Sequence, residues 1–452
     1  MTFKLYLLLM ALSYLRPFDL FAPELAVYRP MLILLMIVLV MSLVTTRKAG
    51  GGILTGQHIR LIWALLLAVT MSVTMVEGFG NGMNSLVSFL PTVLLFLISG
   101  LNLTSLKRVK ITGAVIVASL VVLSCMSIAC FHTGFMKDVL ILKQHGSDDS
   151  AELAAMDVNE IPALDTSGRY LWRVRSVGFL ADPNDFAQTI VCFMPVLFAF
   201  YQARRHLRNL LFLGLPAGIL LYTIFLTHSR GSLLGLAALF FFNIKERLGT
   251  LKTGLLLGTM AMGAMAFNFT GGRAYSANEE SAGGRIDAWS EGLVMLRNYP
   301  ILGVGYQRFS EHHSHTAHNI LVVTFGEIGF VGYWIWLGLI ILTFKQLSQA
   351  IKLVPANADE HTWLIRLRTS IFGFFTCGMF LSRAFEPPLF ILLIFCLGVW
   401  HAGKMQVSNT PAAKELAAPM LWRGRTVLMM FISIMAIWGI VMIKTMTVGR
   451  SV

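Results

Sequence analysis

The sequence predicts an all-α fold, a polytopic transmembrane helix bundle of about 12–13 spans with two long loops on its outer side. Three observations predict it. Hydrophobic residues fill 56% of the 452 positions, mean hydropathy is +0.71 and only 13% of residues are charged. That is about half the charged share of a soluble domain, and a soluble fold of this composition would expose large apolar patches. The apolar surplus comes in blocks of about 16 to 22 residues, enough to cross a hydrocarbon core of ~30 Å as helices, whereas a β-barrel shows short alternating segments. Basic residues fall in every second connection, the positive-inside pattern.

The blocks run over 3–19, 30–46, 60–76, 84–101, 110–131, 185–202, 209–227, 231–244, 252–269, 319–344, 366–382, 387–402 and 426–444. With the N-terminus inside, six connections are inner and every one is basic. They hold Arg47, Lys48 and Arg60, then Lys107, Arg108 and Lys110, then Arg204, Arg205 and Arg208. Further on come Lys245, Arg247 and Lys252, then Lys345, Lys352, Arg366 and Arg368, and finally Lys404, Lys414, Arg423 and Arg425. The first block is short and the last would leave the C-terminus outside, so twelve spans are the alternative. The segment Met1–Leu15 has the look of a signal peptide, but Arg16-Pro17-Phe18-Asp19 stands where a small-residue cleavage site belongs, so it reads as a retained helix.

Residues 1–452 read as a single transmembrane domain with two outer loops too long to be turns, 132–174 and 270–318. The first is acidic in its middle (Asp148, Asp149, Glu152, Asp157, Glu160). In the second, Ile286, Trp289, Leu293 and Leu296 recur at helical spacing, which predicts a short amphipathic helix from Gly284 to Tyr299 lying at the membrane surface. No internal repeat supports an inverted-repeat transporter. The net charge of +13 sits in short inter-block connections rather than on a soluble domain, which argues against nucleic acid as a partner. Five cysteines, Cys125, Cys130, Cys192, Cys377 and Cys396, all lie in apolar blocks and read as small hydrophobes, not a disulfide or zinc framework.

Four polar segments carry the chemistry. Thr227-His228-Ser229-Arg230-Gly231 leaves almost no room for a loop, so Arg230 sits near membrane depth, where it needs a partner or a wet cavity; the alternative is an arginine snorkelling to lipid phosphates. Gly284-Arg285-Ile286-Asp287-Ala288-Trp289 would aim Arg285 at the mouth of the bundle, or leave it as a solvated surface arginine. Downstream, Gly303-Val304-Gly305 lacks the flanks of a dinucleotide loop and reads as a turn. Glu311-His312-His313-Ser314-His315-Thr316-Ala317-His318-Asn319 is open to three readings: a metal site, a single functional imidazole at His318, or a polar loop rich in histidine. Around Arg173-Val174-Arg175, Pro183 opens the next helix with Asp182 and Asn184 at its cap, which leaves Arg175 to be explained. All four segments map to one end of the bundle, where Arg175, Arg230, Arg285 and His318 would face a substrate. Guanidinium groups match phosphate oxygens bidentately, so a diphosphate-linked lipid suits the set.

These pieces resemble the O-antigen ligase and polymerase superfamily of bacterial envelope glycosyltransferases. The matching residues are Arg16-Pro17, Arg175 with Pro183-Asn184, Ser229-Arg230-Gly231, Gly284-Arg285 with Trp289, Pro300-x-Leu302-Gly303-x-Gly305, and His318-Asn319 with Glu327 and Gly329. The resemblance implies a metal-independent, inverting transferase, with no cofactor, at the periplasmic face of the bacterial inner membrane. It would take glycan from undecaprenyl diphosphate and, in the favoured O-antigen ligase form, pass it to lipid A–core oligosaccharide. Arg230, Arg285 and His318 then match essential residues, with Arg175, Asn184 and Asn319 binding substrate and no metal ligands. His318 would take the acceptor proton or hold the diphosphate. The rivals are a polymerase, a protein O-oligosaccharyltransferase and, in another class, a flippase for the same lipid-linked sugars.

Overall fold

Each of the thirteen apolar blocks forms a helix in the computed structural model, which describes residues 1–49, 52–145, 170–266, 280–314 and 316–448. In chain order they are α1 (Thr2–Leu15), α2 (Pro30–Ala49), α3 (Gly56–Glu77), α4 (Phe79–Asn102), α5 (Leu106–Thr133) and α6 (Pro183–Phe198). There follow α7 (His206–Leu226, with a π turn over Leu210–Gly214), α8 (Arg230–Leu248) and α9 (Thr250–Ala266). The chain closes with α10 (Glu280–Asn298), α11 (Ile320–Leu353), α12 (Asp359–Gly378), α13 (Pro387–Gln406) and α14 (Arg423–Val448). Of these, α10 is the amphipathic helix expected between the blocks. It begins four residues before Gly284. The acidic middle of the first long loop lies outside the described residues.

By length and composition, 7 helices among the described residues qualify to cross a membrane: α3, α4, α5, α7, α11, α13 and α14. Among the expected spans that do not qualify, α6 has a physical reason. It is only 16 residues long, yet every residue from Asp185 to Leu197 is buried. Protein rather than lipid surrounds it, packed as it is against α5, α8 and α12. The α13 run from Pro388 to Trp400 is buried without a break. Helices apolar on all sides belong in the interior, and α6 and α13 fill it. By contrast α14 lies outside and exposes Leu428, Phe431 and Ile443, an apolar face that lipid would cover.

The expected turn at Gly303-Val304-Gly305 is something more specific. At Gly329 the backbone of α11 turns to φ 62, ψ −168 and the helix breaks. A continuous helix would bond Phe330 N to the carbonyl of 326 and Val331 N to that of 327. Instead Phe330 N donates to Pro300 O at 2.8 Å and Val331 N to Ile301 O at 3.2 Å. The two carbonyls left over, of Gly326 and Glu327, accept from Val304 N and Gly305 N, each at 3.0 Å. The 300–305 segment thus replaces, bond for bond, what the break removes, as burial away from water demands. A Cβ at Gly303 would lie 2.4 Å from the Glu327 carbonyl carbon, and one at Gly329 would lie 2.5 Å from that of Ile301. Further clamps hold the segment to α3. Tyr306 N donates to Ser72 Oγ at 3.1 Å, and Arg308 pairs with Glu77 through Nε at 2.6 Å.

The first long loop holds a two-stranded antiparallel ribbon that hydropathy did not announce, β1 (Ile141–His145) with β2 (Tyr170–Val174), in register Ile141 to Val174. It sits against the end of α5.

Gly303→Ala and Gly329→Ala should each cost ~2 kcal/mol or more through strain at positive φ and overpacking. Thermal unfolding of the detergent-purified protein measures this. Gly254→Ala, where an added Cβ meets nothing within 4 Å, should leave the midpoint unchanged or slightly raised.

Candidate active site

The connection between α12 and α13, residues 379–386, is the surface on which the chemical segments meet. Its Phe380 ring lies 5.9 Å from the Arg285 guanidinium carbon and 3.2 Å, at Cβ, from where a side chain on Gly231 would begin. One ring therefore touches α10 beside Arg285 and the first turn of α8 beside Arg230, and only a residue without Cβ fits comfortably between. From the same connection, the Met379 carbonyl accepts from Asn319 Nδ2 at 3.4 Å, and the Ala384 carbonyl accepts from Trp336 Nε1 at 2.9 Å.

Arg230, Arg285 and His318 are all half-buried. Arg230 is the first residue of α8, following Ser229, whose Oγ meets Ser232 Oγ at 2.9 Å. His318 adopts φ 44, left-handed backbone that a non-glycine residue rarely takes. Both its neighbours are fixed. The Ala317 carbonyl accepts from Trp289 Nε1 of α10 at 3.0 Å, and Asn319 caps α11 by accepting from Leu321 N at 2.9 Å and Val322 N at 3.3 Å. The amphipathic helix and the cap of α11 together hold the imidazole-bearing residue in a conformation it would not choose.

Arg175 and Arg173 are both engaged with protein. Arg175 Nε donates to Val139 O at 2.9 Å and Nη2 to Asp138 O at 3.4 Å, so these donors tie β2 to the chain before β1. Arg173, only 3% exposed, joins the segments: its Nε donates to Thr227 O at 2.7 Å and its Nη2 to Asn184 Oδ1 at 2.8 Å. Asn184 in turn follows Asp182, which caps α6 by accepting its N–H at 2.7 Å, with Pro183 in the first turn as expected. The oxygens of Asn184 and Asn319 are thus engaged in holding the end of the bundle together.

Arg383 escaped the sequence reading, and Glu327 entered it only as a matching residue without a role. Arg383 pairs with Asp185, which is 4% exposed, and with Glu386 at 3.1 Å. Burial opposes its charge, but the Asp185 and Glu386 carboxylates outweigh that and raise its pKa above the ordinary arginine value. Glu327, also 4% exposed, accepts from Phe309 N at 3.4 Å, pinning the inserted segment from inside α11. The available signals were an arginine with a downstream Glu in a short outer connection and a lone carboxylate in an apolar block.

Among the described residues no three His, Cys, Asp or Glu side chains group closely enough to hold a metal; His315 lies outside them. An apolar cavity of about 640 Å³ opens between α1, α2 and α4, with Arg16 at its edge. Arg16 pairs with Asp19 at 3.0 Å and packs on Gly178, just beyond β2. None of the six expected site residues lines this cavity.

Arg173→Ala should destabilise the protein by about 2–4 kcal/mol, because it leaves the Thr227 carbonyl and Asn184 without a buried charged donor. The unfolding midpoint reads the loss, and Arg173→Lys should recover only part of it, since one ammonium cannot span both acceptors.

Residues 215–337 match the model of a family described as O-antigen ligase. The matched stretch runs from α7 into α11 and contains Arg230, Arg285, His318, Asn319, the inserted segment and the break at Gly329. Arg175 and Asn184 precede it. No curated protein matches the chain.

Proposed function

We propose that this member of the O-antigen ligase and polymerase superfamily is a ligase at the periplasmic face of the bacterial inner membrane. It transfers glycan from undecaprenyl diphosphate to a hydroxyl of lipid A–core oligosaccharide, with inversion and without a metal. The observation that carries the reading is that Arg285, the start of α8 beside Arg230, and Asn319 beside the strained His318 all meet residues 379–386.

In the reaction the acceptor oxygen forms a bond to the anomeric carbon as the bond from that carbon to the diphosphate oxygen breaks. The electron pair leaves with the diphosphate, whose charge rises. The guanidinium groups of Arg285, beside Phe380, and of Arg230, at the start of α8, would stabilise that charge. The acceptor hydroxyl loses a proton, and His318 takes it in the reading we favour. Left-handed backbone at a non-glycine residue costs about 1–2 kcal/mol; here it sets the direction in which the imidazole leaves the chain. Asn319 and Trp289 hold that geometry, while Arg173, Arg175 and Asn184 fix the ends of α6, α7 and the β-ribbon around it.

Purified protein, undecaprenyl-diphosphate glycan and lipid A–core should yield a core-linked product that persists in EDTA. Arg230→Ala, Arg285→Ala and His318→Ala should each lower the rate by ~10²-fold or more while leaving the unfolding midpoint near wild type. An EDTA-sensitive product would instead return the histidine-rich stretch to a metal role. Elongation of the lipid-linked glycan with none passed to core would make the protein a polymerase.

A further inference from the structure

The other end of the bundle holds a second cavity, of about 870 Å³, between the start of α3, the second half of α11 and the start of α14. Arg60, Lys345, Arg423 and Arg425 line it, from three connections far apart in sequence, and no carboxylate is among the lining residues. Among the described residues Arg60, Arg423 and Arg425 enter no ion pair. Lys345 Nζ donates to the Leu421 carbonyl, which draws its charge toward the two arginines of α14 rather than away from them. Four cations around one space repel one another unless an anion lies between them.

The rest of the lining says what kind of anion. Trp334 and Trp422 stand with ring centroids 4.9 Å apart, and Trp422 is buried against Gly338, where a Cβ would lie 2.5 Å from its ring. Tryptophan pairs of this kind belong where hydrocarbon gives way to head groups. Leu61 and Ile335 continue the wall as apolar surface, and α14, whose most apolar stretch is only 22% buried, extends that surface outward. A soluble phosphate would use the basic rim and waste the remainder. We propose that this cavity binds an anionic glycerophospholipid of the inner leaflet, its phosphate among Arg60, Lys345, Arg423 and Arg425 and an acyl chain against the two tryptophans. The site joins α3 and α14 to α11, the helix whose other end carries Asn319.

The test uses the full chain in neutral detergent and phospholipids brominated on the acyl chain, which quench nearby tryptophan. The difference between wild type and Trp422→Phe isolates this site from the other tryptophans of the 9 in the chain. Brominated phosphatidylglycerol should quench saturably, and brominated phosphatidylcholine should need several-fold more lipid. The double variant Arg423→Gln/Arg425→Gln should weaken phosphatidylglycerol binding by about tenfold or more with an unchanged unfolding midpoint. If that variant does not fold, Arg60→Gln should give a smaller shift in the same direction. Equal quenching by both lipids, or affinity indifferent to these substitutions, overturns the proposal. So does displacement by millimolar glycerol phosphate, which would make the occupant a soluble anion.

Discussion

The exchange of backbone hydrogen bonds at the break in α11 is the constraint on which the His318 end of the molecule depends. A helix interrupted inside a bundle leaves donors and acceptors with no water to satisfy them, and each orphan costs ~1–3 kcal/mol. Here the segment between Pro300 and Gly305 supplies two acceptors and two donors, in matching order. The segment is covalently continuous with α10 on one side and, through residues 306–319, with the start of α11 on the other. Fixing it therefore fixes both Arg285 and His318 relative to the same point in the core. The Arg308–Glu77 pair and the Glu327 carboxylate hold the same segment from two other directions.

From that anchor the charges can be understood as a layered set. Arg173 and Arg383 spend their guanidinium groups on protein acceptors, one on carbonyl and amide oxygens and the other on Asp185 and Glu386. Arg285 lies beside the Phe380 ring, and Gly231, next to Arg230, packs against the same residue. Buried arginines satisfied by protein make a stiff floor, which raises the cost of moving the groups above it. The roles of Arg173 and Arg383 follow from which acceptors each can reach.

Much of this was legible in the sequence, and the exceptions have physical causes. The helical blocks were readable because bilayer thickness imposes a length that soluble helices need not meet, and α10 because one apolar stripe survives among polar residues. The capping by Asp182 and Pro183 followed from local chemistry. The break at Gly329 was not readable, since apart from Glu327 the block around it is largely apolar and a glycine in such a block is compatible with either a continuous or a broken helix. The different partners of Arg173 and Arg175 were not readable either. Two positions apart on a strand and its continuation, they differ only in what the fold brings opposite, and the carbonyls of Thr227 and Val139 that decide their roles carry no side-chain signature. Arg383 was missed for a related reason, because its partner Asp185 lies far away in sequence.

The interior bears on the choice between an enzyme and a carrier. A protein that moves a charged lipid head group across the membrane needs polar groups at intermediate depth. The buried runs of α6 and α13 place none there. After Asp185, Gln188 and Thr189 near its outer end, α6 continues as Ile190 to Leu197, and α13 runs from Pro388 to Trp400 without a charged side chain. Phe89, Phe96 and Phe390 stack edge to face between α4 and α13 and fill the same level. The two basic regions, the arginine–histidine end and the Arg60–Arg423 cavity, are thus separated by close-packed hydrocarbon. Each can attract an anionic head group from the leaflet beside it, and this packing opposes passing one to the other. A bundle so divided is suited to chemistry on a lipid presented at one face, with the opposite face held by the membrane it stands in.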